Sequence, residues 1–301
     1  MVVSVLEYEK LSKEEKSSFD LLTAKYNLYQ QLWFIALLAD QKVKIFIFGE
    51  NETLLFVPYR SKFGMQYAYM PSFLQKLSFI GSQKGVDPIL NELVSYLRFG
   101  EICFENFNSS AHFDLKRDRK NYVLKLNNPY HNLSSGFSEN HRRNCKKAKN
   151  LDVNLATNLT DLVAIFKAEK LNSFTDKKMD EIIRKLKDIE TSEKLNGMLE
   201  IYNANDGAKT VSSVLIIKFN EVIYYLLGTS QKTNKSLSTK GLFRLFDFLI
   251  EKYAETNLTL DFEGSDIDGI ARFFKGFGAQ ETNYCFVKWN RLPFPFKLLK
   301  K

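Results

Sequence analysis

The alternation of apolar and polar positions divides the chain into two similar successions of helices and strands. In the first half it predicts helices over Ser12 to Lys25, Gln30 to Ala39 and Asp87 to Leu97. Strands are predicted at Val43 to Phe48, Thr53 to Tyr59, Glu101 to Phe107 and Tyr122 to Leu126, and the Gly49-Glu50-Asn51 turn makes a hairpin of the first two. The second half predicts a helix at Glu139 to Lys149, helices across Leu159 to Lys187, and strands at Met198 to Asn203, Val211 to Phe219 and Val222 to Gly228. A helix at Thr239 to Tyr253, a strand from Leu258, a short helix at Ile267 to Lys275 and a last strand at Tyr284 to Trp289 complete it.

The two successions correspond in detail. A helix leading into EICFENFNS (Glu101 to Ser109) and then NYVLKL (Asn121 to Leu126) is answered by a helix leading into LTLDFEGSD (Leu258 to Asp266) and then NYCFVKW (Asn283 to Trp289). Repetition on this scale points to a duplicated α/β (α+β) arrangement, mixed sheets flanked by helices, with domains expected at 1–130 and 131–301. The first copy lacks the glycine-rich helix between its last two strands, so the second is expected to carry any chemistry.

The stretch Leu258 to Ala279 is the densest in candidate chemistry. Leu258, Leu260 and Phe262 alternate with Thr259, Asp261 and Glu263, so a continuous strand would set Asp261 and Glu263 on one face about 7 Å apart. Paired, partly buried carboxylates favour uptake of a proton and suit a general base; an acidic strand edge in water is the ordinary alternative. Lys275 ends an amphipathic turn with Ile270, Phe273, Phe274 and Phe277. Its ammonium can stabilise a developing oxyanion, or simply lay its stem over the phenylalanines.

Composition narrows the classes. With 45% hydrophobic and 14% aromatic residues, the 301-residue chain can build real cores. Its longest apolar run, Leu32 to Ala39, is far too short to span a bilayer, and the N-terminus does not resemble a secretory signal, so the expected compartment is the cytoplasm. Cys103, Cys145 and Cys285 are odd in number and scattered, which argues against a disulfide framework. His112, His131 and His141 show no metal-ligand spacing, and neither a metal site nor a histidine-based nucleophile is expected.

Net charge is +8, and it is uneven: residues 131–301 hold 27 Lys+Arg against 21 Asp+Glu. ENHRRNCKKAKN, Glu139 to Asn150, supplies five positive charges and one negative. On a helix capped by Ser138, Arg142 stands over Lys146 and Arg143 over Lys147, a repulsive arrangement that an anionic partner would relieve. A solvated basic face is the plain alternative. The C-terminal PFPFKLLKK is a short basic and apolar tail, capable at most of weak attachment to a membrane surface.

Two motifs carry a resemblance. Asn140, Arg142, Arg143, Lys147 and Ala148 match an N-x-R-R-x-x-x-K-A helix; Asp261-Phe262-Glu263-Gly264 followed by Phe274-Lys275-Gly276-Phe277-Gly278 matches a D-F-x-G strand and its following helix. In this order they resemble the GNAT superfamily, and within it the FemAB-type transferases that build peptide cross-bridges on cell-wall precursors. The resemblance implies tandem GNAT-like domains and transfer of an acyl or aminoacyl group from a carrier, acyl-CoA or aminoacyl-tRNA, to a primary amine such as an amino acid or a cell-envelope precursor. It also implies Lys275 near the reacting carbonyl and Arg142, Arg143, Lys146 and Lys147 near acceptor or carrier phosphates, tRNA among them.

Acyl-CoA enzymes of this superfamily hold pyrophosphate in a glycine-rich turn at a helix N-terminus. Here TSQKTNKSLSTKG offers only Gly241 for that turn, leaving Gly228, Thr239, Lys240 and Gly241 as the candidate donor-binding set. Tyr224 and Tyr225 are candidate proton donors to a leaving group, of which one at most can face a cleft, and core packing explains both more simply. A noncatalytic protein of the same fold, binding nucleic acid or another anion through the Arg142 patch, is the competing functional class; stacking aromatics are not interleaved with those basic residues.

Overall fold

The computed structural model describes residues 2–105, 107–170, 173–231 and 235–299, with the side chains of residues 235–239 and 299 outside the description. In chain order the strands are β1 (Val3–Glu7), β2 (Val43–Phe48), β3 (Thr53–Lys62), β4 (Met65–Ala68), β5 (Ile80–Gly81), β6 (Phe99–Phe104), β7 (Leu115–Lys125), β8 (Asp152–Leu155), β9 (Leu199–Asp206), β10 (Lys209–Phe219), β11 (Val222–Ser230), β12 (Thr259–Asp261) and β13 (Gln280–Asn290). The helices are α1 (Lys13–Thr23), α2 (Leu32–Leu38), α3 (Val86–Tyr96), α4 (Tyr130–Ser135), α5 (Glu139–Ala148), α6 (Thr160–Lys170), α7 (Asp176–Glu190), α8 (Lys235–Lys252) and α9 (Asp268–Lys275). The expected mixed α/β architecture is observed.

Two compact units result: Met1–Arg119 with Asn283–Lys301, and Lys120–Thr282. The division therefore differs from the expected one at residue 130, and strand pairing explains why. In the first unit β1, β2 and β3 run antiparallel, β4 follows β3 antiparallel, and β6 joins β4 in parallel at Ala68 and Gly100. The neighbour of β6 is β13, antiparallel from Phe99 and Asn290 to Phe104 and Cys285. In the second unit β7 pairs with β12 instead, Thr259 opposite Lys125. The closing strand of each sequence repeat thus lies in the other unit.

Local chemistry accounts for these elements. β2 is buried at every position, as its near-continuous apolar run requires. Its one charge, Lys44, is tolerated because the Glu7 carboxylate sits 2.5 Å away and the Tyr59 ring 4.5 Å away. The hairpin to β3 turns at Gly49 and Asn51, both at positive φ.

The second unit is a sheet in the order β7-β12-β11-β10-β9-β8, with α6 and α8 against it and α5 packed on α8. α8 buries Leu245, Phe246, Leu249 and Ile250, one face at helical spacing, and Tyr253 just past its end is buried too. Tyr122, Phe262, Phe274 and Phe277 complete the core around Phe246. β11 and β12 pair in parallel only from Val222 and Thr259 to Tyr224 and Asp261, whereas β11 itself continues to Ser230.

β12 is shorter than predicted. It stops at Asp261, whose Oδ1 accepts the Glu263 N–H at 2.9 Å and turns the chain, and Glu263 and Gly264 both adopt φ of 62°. Asp261 and Glu263 are consequently not neighbours on a pleat. A Cβ at Gly264 would lie 2.2 Å from the Lys120 carbonyl oxygen, so this turn packs directly on β7.

Candidate functional site

The turn after β12 and α9 together wall an open cavity of about 400 Å3 over β7. It is lined by Lys120 and Tyr122 of β7, Ser265 and Asp266 of the turn, and Asp268, Arg272 and Lys275 of α9. Lys275 Nζ lies 2.7 Å from Glu281 Oε2, and Lys120 Nζ lies 3.3 Å from Glu281 Oε1. The Tyr122 hydroxyl donates to Glu281 Oε2 at 3.4 Å, while the Lys275 ammonium stands 5.6 Å from the centre of the Tyr122 ring. A hydrogen bond to Glu281 raises the Lys275 pKa, and the same bond, with Lys120 behind it, lowers that of Glu281. Both groups are charged near neutral pH.

Lys275 is therefore a held cation on a polar cavity, which suits charge stabilisation. Glu281 was missed in the sequence because nothing in QETNY marks one carboxylate at the start of a strand; its spacing from Lys275 across the Gly276-Phe277-Gly278 turn was the only available signal. Asp266 and Asp268, within the same Leu258 to Ala279 stretch, line the cavity, whereas the expected pair Asp261 and Glu263 does not. Asp261 is buried and accepts both the Glu263 N–H and Asn121 Nδ2, the latter at 3.0 Å. It fixes the turn beneath the cavity, and neither it nor Glu263 lines the wall that Lys275 lines.

The basic helix and the glycine-rich motif, widely separated in sequence, pack against each other. The Ser138 N–H donates to the Gly276 carbonyl at 2.8 Å. His141, on the buried face of α5 with Cys145 and Ala148, places Nε2 2.8 Å from the Phe273 carbonyl and Nδ1 2.8 Å from Ser138 Oγ. A carbonyl only accepts, so Nε2 carries the proton and Nδ1 accepts from the serine. Phe243, Phe273 and Phe277 surround the ring, with centroids 4.8, 5.6 and 4.6 Å away. Burial in this cage lowers the His141 pKa and favours the neutral imidazole, against the bond to Phe273. A Cβ at Gly276 would fall 1.9 Å from His141 Cε1, which explains the glycine within FKGFG.

The four basic residues of α5 separate. Arg142 donates through Nη1 to the Ser135 carbonyl at 3.1 Å and to the Phe137 carbonyl, binding the end of α4. Arg143 donates to Asn140 Oδ1 at 3.0 Å. Arg142, Arg143, Lys146 and Lys147 are all exposed.

The candidate donor set does not form a phosphate turn. Gly241 lies inside α8 and packs on β10, where a Cβ would meet Ser212 Oγ at 2.1 Å. Lys240 is half-buried on the same helix, residues 232–234 lie outside the described residues, and so does the Thr239 side chain. Gly228 sits on β11 beneath the Tyr225 hydroxyl, which would be 2.1 Å from a Cβ there. Tyr225 packs on Phe246 and Phe274, with ring centroids 5.0 and 6.0 Å away, and Tyr224 is buried. Burial raises the Tyr225 pKa.

The cysteines are free and buried, and burial pushes the Cys145 thiol up to about 12. Among the described residues, no group of three or more His, Cys, Asp or Glu side chains is arranged to hold a metal ion, and no helix is long and apolar enough to cross a membrane.

No family profile matches the chain, and no curated protein does. Similar solved structures include FemX, which aligns over 99% of each chain at 12% identity with a TM-score of 0.62. A conserved protein of unknown function from Bacteroides thetaiotaomicron aligns over 95% of this chain and 99% of its own, at 10% identity and a TM-score of 0.62. The C-terminal domain of a protein assigned as a lysylphosphatidylglycerol synthetase in Agrobacterium fabrum aligns over 96% and 95% of the two chains, at 9% identity and a TM-score of 0.52. At these identities the likeness shows the fold alone, which is the one FemX has.

Proposed function

We propose that the protein is an acyl or aminoacyl transferase, moving a carrier-bound acyl group from aminoacyl-tRNA or acyl-CoA to a primary amine. The observation that carries this reading is the Lys275 ammonium, held by Glu281 and lining a cavity in a FemX-type fold. FemX and the lysylphosphatidylglycerol synthetase domain are similar in fold, which supports acyl or aminoacyl transfer as the general chemistry. An amino acid or a cell-envelope precursor is the acceptor class this favours. The exchange of closing strands between two sequence repeats supports a tandem origin for the two units.

In this scheme the acceptor ammonium gives one proton to a cavity carboxylate, Asp266 or Asp268, or through it to solvent. The freed nitrogen attacks the donor carbonyl, and Lys275 faces the oxyanion of the tetrahedral intermediate. Collapse breaks the bond to the carrier oxygen or sulfur, which takes the second proton from nitrogen and leaves as alcohol or thiol. Arg143, Lys146 and Lys147 would meet carrier phosphates.

The test is a transfer assay on the full chain, supplying aminoacyl-tRNA or acyl-CoA with a panel of amines and identifying the amide by mass. Amide formation that Lys275→Ala slows about a hundredfold is the expected result. Salt-steep tRNA binding with no amide from either donor class would replace this reading with a noncatalytic binding protein.

A further inference from the structure

We infer that the first unit carries a docking surface for anionic lipid bilayers, formed by the tip of the β3–β4 hairpin and the segment after β13. The proposal is independent of the transferase chemistry. At the hairpin tip Phe63 is 78% exposed, at a φ of 52° beside Gly64. In the C-terminal segment Phe294 is 81% and Leu298 57% exposed.

These are not scattered surface residues. Phe63 and Met65 share one small apolar cavity with Leu292 and Phe296, so hairpin tip and C-terminal segment form a single patch. Isolated apolar side chains on a surface are ordinary, whereas a contiguous set of aromatic ones marks an interaction site. The segment is held in place: Asn290 Nδ2 donates to the Lys297 carbonyl at 3.1 Å, and the Lys297 and Leu298 N–H groups donate to the Pro293 and Pro295 carbonyls. The aromatic side chains are therefore presented by an ordered backbone.

Charge selects the occupant. Residues 60–67 and 291–299 contain no Asp or Glu, and Lys62 and Lys297 lie among the apolar residues. Lys62 Nζ stands 5.4 Å from the Phe63 ring, a cation beside the aromatic group that would enter the interface. Aromatic and leucine side chains beside Lys62 and Lys297 fit the headgroup and acyl boundary of an anionic leaflet; the carboxylate that reaches the segment, Asp114, is paired with Arg291 at 2.6 Å.

Co-sedimentation of the full chain with phosphatidylcholine vesicles, with and without 30 mol% phosphatidylglycerol, tests this directly. Binding should require the anionic lipid and weaken with salt. Phe63→Ser with Phe296→Ser should reduce it at least tenfold, and Lys62→Glu by roughly fivefold or more, from about 1 kcal/mol per surface lysine. Phe294→Ser with Leu298→Ser, at more exposed positions, gives the same readout should the first pair impair folding. Lys146→Ala with Lys147→Ala, in the second unit, should leave vesicle binding unchanged. A Phe63→Trp variant should show a blue-shifted emission on anionic vesicles. Failure to sediment, binding indifferent to the aromatic substitutions, loss confined to the Lys146 and Lys147 pair, or a self-association that the same aromatic substitutions abolish would each overturn the proposal.

Discussion

Helix α9 and the turn after it serve two regions that differ in almost every physical respect. Phe273, Phe274, Gly276 and Phe277 enter a packed aromatic core with His141, Phe243, Phe246 and Phe262. Lys275, between them in sequence, joins Glu281 and Lys120 on an open polar cavity. Tyr122 belongs to both, its ring 6.2 Å from that of Phe274 and its hydroxyl on Glu281. A contiguous motif can thus be half packed core and half open cavity wall, and a residue's place within it does not reveal which. Substitutions on the two sides should separate stability from turnover.

The largest effect is expected on the packed side. Gly276→Ala drives a methyl into an imidazole that three phenylalanine rings prevent from withdrawing, which should cost about 2–3 kcal/mol. Denaturant midpoints of Gly276→Ala, His141→Ala and the double variant form the check, since removing the ring should absorb much of the glycine's effect. Strict additivity of the two losses would show that the ring and the glycine do not meet. On the cavity side Lys275→Ala should lower turnover about a hundredfold while leaving the melting temperature close to that of the parent protein, because its ion pair is exposed to solvent. A variant that lost stability along with activity would erase the distinction between the two regions.

A smaller, pH-dependent effect follows from His141. Its folded pKa lies below the ordinary value near 6.5, so between the two values the unfolded chain binds more protons than the folded one. Stability from this residue is complete above about 6.5 and is lost as pH falls through the folded value. Melting temperatures followed downward from pH 7 should decline, and His141→Gln should flatten the part of that decline belonging to the imidazole. An identical profile in the variant would mean that the ring does not titrate differently on unfolding.

Much of this was legible in the sequence, and the exceptions have physical causes. β2, β3, β10 and β11 were predicted nearly to their ends because their apolar runs are long and their turns carry glycine or asparagine. The strand after Leu258 was predicted too long, since alternation continues through Glu263 while a side chain to backbone hydrogen bond at Asp261 already turns the chain. The exchange of closing strands is a tertiary pairing and leaves no local trace. The ion pair of Lys275 with Glu281 is not legible in the sequence, because a contact across a glycine turn has no periodicity. His141 has no metal-ligand spacing, and its place on the apolar face of α5 with Cys145 and Ala148 marks it as a core residue.

The smallest effect concerns the border between packing and binding, and α5 supplies it. Four basic side chains were grouped as one anion-binding face, yet Arg142 spends its guanidinium on the Ser135 and Phe137 carbonyls at the C-terminal end of α4, where a cation also complements the helix dipole. Arg142→Ala should therefore lower stability by about 1 kcal/mol with little change in donor affinity. Lys146→Ala with Lys147→Ala should do the reverse, because both chains are exposed on the face opposite His141 and Cys145. The discriminating measurement is binding of an anionic donor across a salt series, set beside melting temperature. If two phosphate contacts are lost in the lysine pair, the slope of log affinity against log salt falls by nearly two for a duplex-like partner and somewhat less for a single strand. Arg142→Ala should retain the parent slope. Should Arg142→Ala reduce the slope and spare stability, the guanidinium would have to leave its carbonyls when the donor arrives, and the basic face would be one site after all.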